Sequence, residues 1–147
     1  MASRDPNDLH PPTRAKWFRM KRICEAAGVR VFLTATLRLP AEQQETYRQG
    51  RDKPGRVVTN AQAWESWHQP WVEGKALAFD IAFRPEHDPT GVTWDGPWEF
   101  VGTVGEFVGL KWGGRWNHPD RPHFEDSNGR TLATLRQAHG RQIGAVA

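Results

Sequence analysis

Cysteine is almost missing from this 147-residue chain. The single Cys24 excludes an internal disulfide and any thiolate metal cluster built within one chain. It falls on the apolar side of a predicted helix, where a thiol behaves as a small buried hydrophobe rather than a reactive group. Long apolar runs are missing too. Nothing approaches the roughly 18 consecutive apolar residues of a transmembrane helix, so no stable membrane association is expected. Met1 to Pro12 is polar and proline-rich and has no apolar stretch of the kind a secretory signal needs. We expect a flexible polar leader over residues 1–12 and one compact domain over residues 13–147. The expected place of synthesis is the cytoplasm, so action outside would need release by another agent. No tract of basic residues is present either. The net charge of +3 suits a polyanionic partner such as nucleic acid or an anionic cell wall. Its scattered, arginine-dominated distribution argues against a nucleic-acid site.

Eight Trp and seven Phe supply large side chains that can bury much area in a chain of only 37% hydrophobic residues. Thr13 as a helix cap, followed by Trp17, Met20, Cys24 and Ala27 at spacings of three and four, predicts a helix closed by Gly28. Val29 to Thr36, rich in β-branched and aromatic residues, predicts a strand. Pro40 starts a second helix that runs to Gly50. Val57 to Ala61 reads as a short extended piece, and Ala76 to Phe83 as a buried strand. Pro97 to Gly109 has a helical pattern weakened by Gly102 and Gly105. Trp112 to Gly114 reads as a tight turn and Pro122 to Glu125 as a short strand. Ser127 or Asn128 is expected to cap a last helix containing Leu132 and Leu135. Helices and strands mix without a regular βαβ rhythm, which predicts an α+β fold.

Asp80 is the one polar residue in its apolar strand, and a buried carboxylate stays ionised only when paired or metal-bound. His68, Asp80 and His123 form a set of two imidazoles and one carboxylate that leaves a fourth zinc position open for water, the catalytic pattern. Asp120, three residues before His123, fits the base that such a water needs. Arg38, at the end of the first strand, can fork onto an oxyanion or a carboxylate. Each residue also has an ordinary reading. Asp80 would equally serve as a buried salt-bridge partner, and Arg38 alone as a surface arginine. Glu125 rivals Asp120 as the base, or stands behind His123 on the same strand face. His10, His87, His118 and His139 are read as structural. Taken alone, the residues leave the metal reading and the structural reading both standing.

Several blocks in one order tip that balance. Thr36-Leu37-Arg38, Glu42-Gln43 and Tyr47-Arg48-Gln49-Gly50-Arg51 come first, followed by Pro54-Gly55 and Val58-Thr59-Asn60-Ala61. Then come Ser66-x-His68, Ala76 to Asp80, and Gly109 to Trp116 leading into Asp120-x-Pro122-His123-Phe124-Glu125. From Thr34 to Glu125 the chain resembles the zinc D-Ala-D-Ala carboxypeptidase / L-alanyl-D-glutamate peptidase family, and within it small bacteriophage endolysins.

The resemblance implies a small α+β domain whose central antiparallel sheet, flanked by helices, carries zinc on His68, Asp80 and His123. It implies Asp120 as general base, Arg38 polarising the scissile carbonyl, and Gln43, Ser66 and Trp112 at the substrate, with Glu125 behind a ligand. The implied substrate is the peptide stem of peptidoglycan, cut at L-Ala–D-Glu by a monomer. The alternatives are a D-Ala-D-Ala carboxypeptidase and an inactive wall-binding module. The chain departs from the family in placing Asp80 twelve residues after His68 rather than seven, with an apparent insertion at Gln69 to Glu73. There Trp67 and Trp71 are expected to reshape the cleft. Trp64 and Ala76 also stand where the family has glycine.

Overall fold

The structure, a computed structural model, describes residues 1–146. Eight named elements follow one another: α1 (Pro11–Ala26), β1 (Val31–Ala35), α2 (Pro40–Arg48), β2 (Ala78–Phe83), α3 (Trp98–Phe107), β3 (Lys111–Trp112), β4 (His123–Glu125) and α4 (Leu132–His139). The strands make one antiparallel sheet in the order β1-β2-β4-β3. This is the expected α+β domain with its antiparallel sheet.

The register of the two central strands separates core from site. Phe79 pairs with Phe124, and Asp80 with His123. Because side chains alternate across a sheet, the phenylalanines face one way and the polar pair the other. On the apolar side, Trp17 of α1 meets Phe79 edge-on at 5.3 Å, and Phe79 stacks on Phe124 at 5.6 Å. Gly105 of α3 leaves room for the Phe124 ring, and Gly102 for the Trp112 ring. The two helical glycines that weaken the sequence pattern are therefore the places where α3 sits down on the sheet. Cys24 lies in this core, and burial pushes its thiol up to about 11, with Glu25 adding to the effect. The inert-thiol reading holds.

A second, smaller cluster joins Ala63, Trp64, Trp71, Leu77 and Leu135. The Gln69–Glu73 insertion supplies Trp71, which is 1% exposed, meets Trp64 edge-on at 5.0 Å and donates its indole N–H to Ser66 C=O at 2.8 Å. Trp71 thus turns inward and does not shape the cleft as expected. Trp64, where the family has glycine, has φ of 65°. That left-handed backbone costs a non-glycine residue about 1–2 kcal/mol, and burial of its indole against Trp71 offsets it.

The N-terminal segment is fastened rather than flexible. Leu9 is fully buried. Ser3 exchanges backbone bonds with Leu37 and Thr36 at 2.8 and 2.7 Å, and Asp8 and His10 bond to Ala76 at 2.9 Å each. An apolar residue at position 9 explains the difference, because its burial outweighs the polar composition around it. Two caps also differ from expectation. Thr13 lies inside α1, which starts at Pro11, and donates its hydroxyl to Asp126 at 2.9 Å. Thr131, not Ser127 or Asn128, caps α4 by accepting the Thr134 N–H. Among the described residues no helix is long and apolar enough to cross a membrane.

Candidate metal centre

Three segments converge on the polar face of the sheet. The β2–β4 register sets Asp80 beside His123, and the loop before β2 brings His68 over them. Asp80 Oδ1 stands 3.3 Å from His68 Nε2 and 3.3 Å from His123 Nδ1. One ligand atom from each residue lies within 4.8 Å of the others.

The outer ring nitrogens settle which inner ones are free. His68 Nδ1 is 2.7 Å from the Thr36 carbonyl, which can only accept, so that nitrogen carries the proton. His123 Nε2 is 2.9 Å from Glu125 Oε1, which fixes its proton in the same way. Each imidazole in its neutral form then aims a lone pair at Asp80. Two directed nitrogens and a carboxylate oxygen fit a divalent cation.

Electrostatics agree with a site built for positive charge. Burial works against ionisation of Asp80, yet His68 and His123 override it and hold the carboxyl well below the usual carboxylate range. Burial also opposes the charged form of His123, but bonds to Asp80 and Glu125 raise it to about 10. Where a cation takes the place of that proton, the same carboxylates serve it.

The centre lies in a cleft of about 950 Å³. Asp120 and Arg38 line it together with Ser66, Trp67, Trp116 and His118. Desolvation by the cleft walls raises the Asp120 pKa, with the Asp80 charge adding to it and the two histidines opposing it. Arg38 donates to Gln43 Oε1 at 3.0 Å, and Gln43 in turn donates to Ala61 C=O at 2.7 Å. The backbone of Arg38 is tied to the His68 loop, its N–H to His68 C=O and its C=O to the Gln69 side chain, each at 2.8 Å.

The chain is 32% identical over 131 residues to the peptidoglycan L-alanyl-D-glutamate endopeptidase CwlK of Bacillus subtilis (strain 168). The match covers 82% of this chain and 74% of that protein. The chain belongs to the peptidoglycan L-alanyl-D-glutamate endopeptidase family. Its fold is similar to that of the Serratia marcescens L-Ala D-Glu endopeptidase ChiX, with a TM-score of 0.53 at 21% identity over 85% of this chain and 87% of that one. No protein-family model matches the chain.

In this endopeptidase-family chain the structure brings together His68, Asp80, His123, Asp120, Arg38, Gln43 and Ser66 around one cleft. Ser66 Oγ accepts the backbone N–H of His68 at 3.1 Å, which braces the loop that carries this imidazole. Glu125 stands behind His123, 5% exposed, as the strand alternation suggests. Trp112 does not reach the substrate side. It is 4% exposed, packs against Phe124 and donates to Arg121 C=O at 2.8 Å. Its side chain leaves the sheet on the face of Phe124, opposite His123, so its expected substrate contact is withdrawn. His118, read as structural, instead lines the cleft. Two contributors escaped the sequence reading. Trp116, exposed at the rim with its ring 5.2 Å from that of His123, was visible only as a letter in the closing motif. Thr36 acts through a backbone carbonyl, which no side-chain pattern reports.

Proposed function

We propose that the protein is a zinc peptidase that hydrolyses the L-Ala–D-Glu bond in the peptide stems of peptidoglycan. The observation that carries the proposal is the His68–Asp80–His123 centre, open to a cleft that also holds Asp120 and Arg38, in a chain of this family. His68 Nε2, Asp80 Oδ1 and His123 Nδ1 would hold the ion. Bound zinc supplies Lewis acidity, making water a nucleophile near neutral pH and polarising a carbonyl.

The chain's own groups do the rest. Asp120, accessible in the cleft and with a raised affinity for protons, takes the proton of the attacking water and returns it to the leaving amine. Arg38, aimed by Gln43, stabilises the negative charge that grows on the scissile carbonyl oxygen. Ser66, Glu125 and the Thr36 carbonyl keep the two imidazoles in place. The endolysin resemblance extends the reading to a monomer released onto the wall of a host cell.

Mass spectrometry of soluble products from purified peptidoglycan, with and without a chelator, tests the proposal. New stems that begin at D-Glu, and disappear with chelator, are expected. Loss of terminal D-Ala alone would make the protein a carboxypeptidase instead. Activity insensitive to chelation would remove zinc from the reaction.

A further inference from the structure

Between α2 and the metal loop the chain runs from Arg56 to Thr59 without a turn or a bend. Two β-branched residues there stand in water, Val57 at 53% and Val58 at 58% exposure. Such side chains favour strand pairing, but among the described residues the segment pairs with no strand.

It is nevertheless held firmly, by side chains of α2 and of the turn after it. Gln49 Nε2 donates to Arg56 C=O at 3.1 Å. Arg51 donates to Thr59 C=O and to Asn60 Oδ1, both at 3.1 Å, and Gln43 donates to Ala61 C=O at 2.7 Å. The Val57 nitrogen packs against Gly50, whose φ of +83° and closeness to Val57 leave no place for a side chain. In an extended chain the N–H and C=O groups of successive residues point to opposite edges. With the Thr59 carbonyl turned toward Arg51, that alternation sends the Val58 carbonyl to the other edge. Among the described residues, the Val58 N–H and C=O and the Asn60 N–H have no protein partner. Val58, Thr59, Asn60 and Ala61 line the same cleft as Asp80 and Asp120.

We infer that Val58 and Asn60 form a docking edge that pairs main chain to main chain with the peptide arm of the substrate and lays it across the metal centre. An unpaired edge is a template for an added strand, and the continuity of this one with the cleft names its occupant. The inference rests on the peptidase reading.

Val58→Pro removes the N–H at position 58 while keeping an extended backbone, and Val58→Ala keeps the N–H. With a soluble stem-peptide fragment as substrate, Val58→Pro is expected to raise KM about five- to tenfold, the worth of one hydrogen bond. Its kcat should stay within about twofold and its metal content unchanged, and Val58→Ala should raise KM clearly less than Val58→Pro does. An unchanged KM for Val58→Pro overturns the docking edge, as does a KM raised equally by Val58→Ala. Should Val58→Pro fold poorly, amide hydrogen exchange of the wild type with the cleaved peptide decides. Slowed exchange at Val58 and Asn60 supports the edge, and unchanged exchange overturns it. A wild type that cleaves no stem peptide removes the peptidase reading itself, whereas cleavage with unaltered Val58→Pro kinetics removes only the edge.

Discussion

Asp120 and Glu125 stand on either side of His123 in sequence but in different surroundings. Glu125 is 5% exposed and already engaged by the imidazole, so it has no free oxygen path to a reacting water. Asp120 faces the open cleft. We therefore expect Asp120→Asn to lower kcat about 10²- to 10⁴-fold while the purified protein keeps its zinc by elemental analysis. Glu125→Gln should instead weaken metal binding about 10- to 100-fold, and excess zinc in the assay should restore its activity. The opposite pattern would exchange the two roles. That His68, Asp80, His123 and Asp120 gather at one cleft was legible in the sequence, because side-chain chemistry and the order of the motif blocks both point to them. The tautomer of His68 was not, since it is set by the carbonyl of Thr36, and any residue there would present one.

At the level of elements, α3 shows why a propensity argument can be right locally and incomplete globally. Glycines at 102 and 105 do weaken an isolated helix, yet here they let its backbone approach the Trp112 and Phe124 rings. Gly105→Ala gains helix propensity but drives a methyl into Phe124. Overpacking of this kind costs about 1–3 kcal/mol, so we expect a net fall of several degrees in the melting temperature. An unchanged or higher value would show that α3 can lift away freely. The long helices and the buried β2 strand could be anticipated from periodicity and from one carboxylate in an apolar run. The order β1-β2-β4-β3 could not, because β3 and β4 span two and three residues and carry too little pattern to announce their partners. The fastened N-terminal segment was hidden for a related reason, since one leucine among polar residues decides it.

Over the whole molecule, the centre links residues 68, 80 and 123, which lie far apart in the chain, and a bound ion would act as a cross-link. Removing it should lower the melting temperature, and free zinc at about 100 times Kd should restore about 2.7 kcal/mol. Protons compete for the same site. The pKa of His123 rises from 6.5 to about 10 on folding, so its charged form stabilises the metal-free fold fully below pH 6.5. That contribution is lost as pH climbs through about 10. Zinc binding near pH 7 must therefore expel a proton, and calorimetry in buffers of different ionisation enthalpy should read a release of about one. No release would mean that His123 is already neutral, with its two carboxylates exerting less pull than the geometry implies.

The solitary thiol gives these measurements a practical handle. With Cys24 sealed in the core and its pKa at about 11, the native surface carries no competitor for thiol-directed probes. A cysteine introduced on any outer loop would take a spin label or fluorophore at one known address, so motion of the cleft walls can be followed without stripping the protein of a native residue first.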